Sequence, residues 1–152
     1  MKTLYFDIDG TVLLEEEWEV KSALARGAFE AAVRRASFER LVCVGNAVRI
    51  AHTVKGMGIP YDALGVLLDI CRGAFADEAW FRSATTLVDE PENRVASIDL
   101  TSDWWYVDDL ASHYFRVAGL EEILETHRGG RVFAPDPMGD GEDVLQWLGT
   151  TV

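Results

Sequence analysis

Two carboxylates, Asp7 and Asp9, stand directly after an apolar run and before Gly10 and Thr11, in the stretch LYFDIDGTVL near the start of the chain. Leu4, Tyr5, Phe6 and Ile8 have the near-continuous apolar character of a strand buried on both faces of a parallel sheet. Acids spaced i and i+2 at the end of such a strand project from the carboxyl edge of the sheet, where open α/β folds bind ligands. An Asp-Gly turn alone is a common strand ending; two acids followed by Gly-Thr is a more specific arrangement. A second acidic pair, Asp108 and Asp109, ends the run WWYV, and Gly45 with Asn46 ends the run RLVCV. If these strands are neighbours, the three ends meet at one point. Carboxylate oxygens with room for several waters suit Mg²⁺ better than a softer metal. No Cys/His cluster has the spacing of a zinc site.

The elements that must position these residues follow from the hydrophobic pattern. After the acidic segment EEEWEV a helix is expected over residues 20–35, with Leu24, Ala28, Ala31 and Ala32 facing inward. RLVCVG reads as the second strand, and the helix after it stops at the glycines of GMG. Residues 61–81 read as helical, ATTLV as a short strand, and DEPENRVASI as the start of a further helix with proline in its first turn. WWYVDD is the next strand, ASHYFRVAGLEEIL a helix, GRVFAPDP a last short strand and GEDVLQWLG a closing helix. Alternating strands and helices predict an α/β fold, a doubly wound parallel sheet with helices on both faces. Trp104 and Trp105 should then pack on opposite faces. His52 and His113 fall on helices and His127 near a helix C-terminus, positions read as structural.

Composition narrows the function classes. With 152 residues the chain has the size of a single domain, 1–152, with one core. Fourteen basic against 26 acidic residues give a formal charge of −12. That disfavours nucleic acid as a partner, which needs a basic surface. It also repels anionic substrates at long range, so a phosphate site needs a metal or focused positive charge. No apolar stretch is long enough to span a membrane and no signal pattern opens the chain, so no membrane partner is expected. Cys43 and Cys71 read as buried thiols of a cytoplasmic protein.

DIDGT with a later VDD resembles the haloacid dehalogenase superfamily of phosphatases and phosphotransferases, and the resemblance runs over essentially the whole chain. It implies a Rossmannoid fold and a Mg²⁺-dependent phosphomonoester phosphatase acting through an aspartyl-phosphate. Asp7 would be the nucleophile. Asp9 would protonate the leaving group and then activate water, and Thr11 would hold the loop. Mg²⁺ would lie between Asp7, the backbone carbonyl of Asp9, and Asp108 or Asp109, offsetting anion repulsion.

Two departures from the family pattern bear on activity. Gly45 and Asn46 occupy the place of the usual Ser or Thr, leaving a helix N-terminus and an amide donor for phosphate. Glu90 stands where a lysine is expected, and the only lysines are Lys2, Lys21 and Lys55. Arg94, one helical turn onward, is the first substitute, ahead of Lys55 and Arg82. A missing cation would cost roughly 3–4 kcal/mol of transition-state stabilisation, by analogy with a lost oxyanion donor. The alternative is therefore a catalytically weak or inactive relative that binds phosphate or a partner. A receiver-like phosphoacceptor also uses strand-end acids, but DIDGT fits the first two readings better. No separate cap domain is expected, only a small helical insertion around residues 56–83 that packs on the core. Trp18 lies in the short hairpin after the first motif, as a packing staple or a substrate contact, and Glu15 to Glu17 read as solvated surface. The open site suits a bulky or protein-borne phosphate, or a homo-oligomer whose neighbouring subunit acts as the lid.

Overall fold

A computed structural model describes residues 1–56, 62–89 and 94–152, residue 55 by its backbone alone. Five strands, β1 (Lys2–Phe6), β2 (Arg40–Cys43), β3 (Thr85–Leu87), β4 (Asp103–Val107) and β5 (Val132–Phe133), form one sheet in the order β3-β2-β1-β4-β5. Every pairing is parallel, with Phe6 opposite Cys43 on one side and Val107 on the other. The first strand is thus central, and its neighbours are the two strands whose ends carry Gly45/Asn46 and Asp108/Asp109.

Parallel strands buried on both faces explain the apolar runs. Leu4 and Phe6 join Leu41, Cys43 and Val107 in one core cluster, while Tyr5 joins Val42, Trp104 and Tyr106 in another. The alternation follows the two-residue period of a strand. Helices α1 (Ala28–Arg35), α2 (Asn46–Gly56), α3 (Ala63–Ile70), α4 (Glu78–Ala84) and α7 (Glu142–Thr150) feed the first cluster through Phe29, Val48, Leu67, Phe81 and Trp147. The second is fed by α5 (Ala111–Val117) and α6 (Glu121–His127) through Phe115 and Leu124. Trp105 packs against the first cluster and Trp104 belongs to the second, on opposite faces as the sequence predicts. Cys43 and Cys71 are buried and free. Among the described residues no helix is long and apolar enough to cross a membrane.

Three expected helices are shorter or broken, each at a glycine. The helix expected from residue 20 begins at Ala28, preceded by a 3-10 turn over Ser22–Leu24 and by Gly27 at φ +73°. A Cβ on Gly27 would stand 2.9 Å from that of Ala76, and its N–H donates to the Gly73 carbonyl at 2.7 Å. Glu30, buried on α1, accepts the N–H groups of Ala76 and Asp77 at 3.1 and 2.9 Å. This docking of α1 on the α3–α4 connection requires the break. The stretch 61–81 divides into α3 and α4 around Gly73, and the helix after Asp109 divides into α5 and α6 around Gly119, both with positive φ. Of the helix expected in DEPENRVASI, residues 90–93 lie outside the described residues and 94–97 form a turn. The insertion expected around 56–83 is described from residue 62, and its Leu67 and Phe81 lie in the core.

Candidate active site

The sheet ladder runs on past the strand ends and pins the acidic residues by their backbones. The N–H of Asp7 donates to the Val107 carbonyl at 3.0 Å, and that of Asp108 to the Phe133 carbonyl at 3.1 Å. The carboxylates of Asp7, Asp108 and Asp109 each place an oxygen within 4.8 Å of the others. Asp108 has no exposed surface and accepts three hydrogen bonds: Oδ2 from the Tyr106 hydroxyl at 2.8 Å and Arg94 at 2.9 Å, and Oδ1 from the Leu110 N–H at 2.9 Å. Arg94 also approaches Asp7 Oδ1 at 3.4 Å, and its guanidinium lies 4.0 Å over the Tyr114 ring. The Thr11 hydroxyl links the two acidic motifs, donating to Asp7 Oδ2 at 3.4 Å and accepting the Asp109 N–H at 3.1 Å. Gly45, at φ +94°, lets β2 approach closely, since a Cβ there would fall 2.3 Å from Asp7 Oδ1.

Crowding and burial shift the protonation of Asp7 and Asp109. Burial first, and then the Asp108 charge, raise the Asp7 carboxyl well above the usual range, with Arg94 opposing. The same two causes, in the same order, push Asp109 up to about 6. Burial works against the Arg94 charge, but Asp7 and Asp108 outweigh it and raise its pKa. Tyr106 is raised by burial and by Asp108, which keeps its hydroxyl a donor. Among the described residues, Arg94 is the cation that faces these three carboxyl groups. An oxygen-only donor set of this kind fits a hard divalent cation such as Mg²⁺.

Most of the residues singled out in the sequence converge here. A cavity of about 190 Å³ is lined by Asp7, Asp9, Glu15, Glu16, Asn46, Arg94, Asp109 and Leu110. Asp9 is half-buried and its carboxylate stands outside the three-acid cluster, accepting the Glu16 N–H at 3.2 Å. Asn46 is exposed at the start of α2, beside Gly45. Arg94 reaches the site, whereas Arg82 pairs with Asp62 on the surface at 2.8 Å. Glu90 and the Lys55 side chain lie outside the described residues. Trp18 is 48% exposed and does not line the cavity, while Glu15 and Glu16, read as plain surface, do. Sequence reasoning passed over Tyr106, Tyr114 and Lys21. Tyr106 is findable by period: two residues before Asp108 on a strand, it shares that residue's face. Tyr114 and Lys21 carry no local signal.

No protein-family model matches this chain, and no curated protein or solved structure matches it significantly.

Proposed function

We propose that this chain is a phosphohydrolase of the haloacid dehalogenase type, cleaving phosphomonoesters through Asp7. On this reading the sheet is doubly wound and the whole chain forms one such domain, without a separate cap. The observation that supports it is the buried guanidinium of Arg94 set between Asp7 and Asp108, at a cavity that Asp109 also lines. A carboxylate nucleophile needs a cation at the same point as its target anion, and Arg94 is placed to be one. The guanidinium has five N–H donors, so its pairing with Asp108 leaves others for a phosphoryl oxygen.

Asp7 and Asp109 would hold Mg²⁺, with the Asp9 carbonyl as a third contributor; Asp108, which already accepts three hydrogen bonds, anchors Arg94 instead. The ion supplies charge neutralisation for an incoming phosphate dianion. Asp7 attacks phosphorus, forming an acyl-phosphate while the bond to the ester oxygen breaks. Asp9 gives that oxygen a proton, then takes one from the water that releases phosphate and restores Asp7. Thr11 fixes the Asp7 side chain, and Gly45 with Asn46 at the start of α2 offers N–H donors to the phosphate. The buried thiols accord with a cytoplasmic protein, and the substrate is a phosphomonoester on a bulky molecule or a protein.

The test is a turnover screen over phosphomonoesters with and without Mg²⁺, for the wild type and Asp7→Asn. Mg²⁺-dependent phosphate release that Asp7→Asn abolishes supports the reading. Phosphate binding without turnover in the wild type would favour the non-catalytic relative.

A further inference from the structure

Lys21 is fully buried, yet among the described residues its Nζ touches only main-chain oxygens: Gly10 at 2.9 Å and Asp136 at 2.7 Å. These two carbonyls belong to different loops at the carboxyl edge of the sheet, one after β1 and one after β5. Burying an ammonium without a carboxylate partner is costly, so the two loops it ties need that tie. Burial lowers the pKa of Lys21, and the charges of Asp143, Asp109, Asp136 and Asp140 around it oppose that loss. Its own N–H donates to the Val12 carbonyl at 2.9 Å, and its Cβ lies where α7 begins, 3.2 Å from the point a Cβ on Gly141 would occupy. The side chain is therefore anchored at its base and reaches inward to the motif.

What it holds is the backbone under the acids. Gly10, at φ +80°, lies so close to Asp109 that a Cβ there would stand 2.5 Å from Oδ2. The next residue, Thr11, bridges Asp7 and the Asp109 N–H. Turning the Gly10 carbonyl away from Lys21 would move both.

We propose that Lys21 is a positioning residue, which clamps the Gly10 carbonyl to the loop after β5 and thereby sets the separation of Asp7 and Asp109 at the cation site. The proposal rests on the phosphohydrolase reading for the identity of that cation. Its sign separates it from a purely electrostatic role: removing a positive charge near the site should by itself tighten Mg²⁺ binding. Loss of the clamp weakens it.

The experiment is Mg²⁺ titration by calorimetry of the wild type, Lys21→Met and Lys21→Gln, well below the unfolding temperature, with folding checked by circular dichroism. The expected result is Mg²⁺ binding at least about tenfold weaker in both variants, with disturbed amide resonances of Thr11 and Asp109. Equal or tighter binding in a folded variant overturns the proposal, because a merely structural lysine would lower stability without moving this affinity. Where neither variant folds, the Lys21 ¹⁵Nζ resonance of the wild type decides. It should shift along the same Mg²⁺ isotherm as the Asp109 amide, and an unmoved resonance overturns the clamp. A wild type that binds no Mg²⁺ overturns both this proposal and the metal-dependent function. A wild type that binds it while the variants are unaffected overturns the Lys21 role alone.

Discussion

The carboxylate of Asp108 accepts three hydrogen bonds and has no exposed surface, while that of Asp109 faces the cavity with a pKa near 6. Neighbours in sequence thus have different surroundings: one is held by a guanidinium, a hydroxyl and an N–H, the other lines the cavity and is the carboxylate proposed for the cation. The sign of the Asp109 shift makes this testable. Its folded pKa lies above the unfolded value, so its contribution to stability is full below about pH 4 and is lost as pH rises through about 6. In metal-free buffer Asp109→Asn should match the wild type near pH 4 and melt roughly 6 °C higher above pH 6.5. Mg²⁺ should invert that order. At a thousandfold excess over Kd, it stabilises the wild type by about 4.1 kcal/mol and the variant far less. Thermal melts from pH 4 to 8, with and without Mg²⁺, check both arms. Arg94→Ala removes the cation between two buried acids, so kcat/KM should fall tenfold or more, about 1.4 kcal/mol. Stability at neutral pH should drop by about 3–5 kcal/mol, read by denaturant unfolding. The acids were legible because DIDGT and VDD sit at strand ends, and Arg94 because the resemblance implies a cation near Glu90. The different duties of Asp108 and Asp109 were not, because they depend on which donors reach each oxygen from Tyr106, Arg94 and Leu110.

Among the elements, the close meeting of β2 with the β1 loop depends on Gly45. A methyl group there meets Asp7 Oδ1 at 2.3 Å in a backbone conformation at φ +94°. Gly73 has a similar φ of +101° with nothing within 4 Å of its hypothetical Cβ. Both alanine variants should lose about 1–2 kcal/mol to left-handed backbone strain, measured by chemical denaturation. Gly45→Ala alone should also weaken Mg²⁺ binding, because only there does the added carbon meet a proposed ligand, Asp7. The strands were readable from their apolar runs, and the order of the sheet places three of their ends together. Helix ends were read less well. Gly27, Gly73 and Gly119 each interrupt an apolar pattern that continues through them, so periodicity joins what the left-handed glycine separates. The glycines were visible; the docking partners that need the breaks, such as the Gly73 carbonyl bonded to Gly27, were not.

At the scale of the whole molecule, the charge of −12 surrounds a site whose own rim carries Asp9, Glu15 and Glu16. A phosphomonoester dianion is repelled before it reaches Arg94. Raising ionic strength from about 10 to 150 mM shortens the Debye length from about 30 to 8 Å. The second-order rate kcat/KM for an anionic substrate should therefore rise severalfold, the reverse of electrostatic steering; stopped-flow or steady-state rates against salt test this. The sign was legible in composition, but the acidic rim was not, since Glu15 and Glu16 read as ordinary surface until the hairpin folds them over the cavity. Underlying all three scales is the claim that Asp7 is a phosphoryl acceptor served by a cation at Asp109. Beryllofluoride, which mimics a phosphoryl group on a carboxylate, probes that claim without knowledge of the natural substrate. Fluorine NMR should show a bound, Mg²⁺-dependent adduct in the wild type and none in Asp7→Asn. Absence of an adduct in the wild type, or an equal signal in Asp7→Asn, would contradict it.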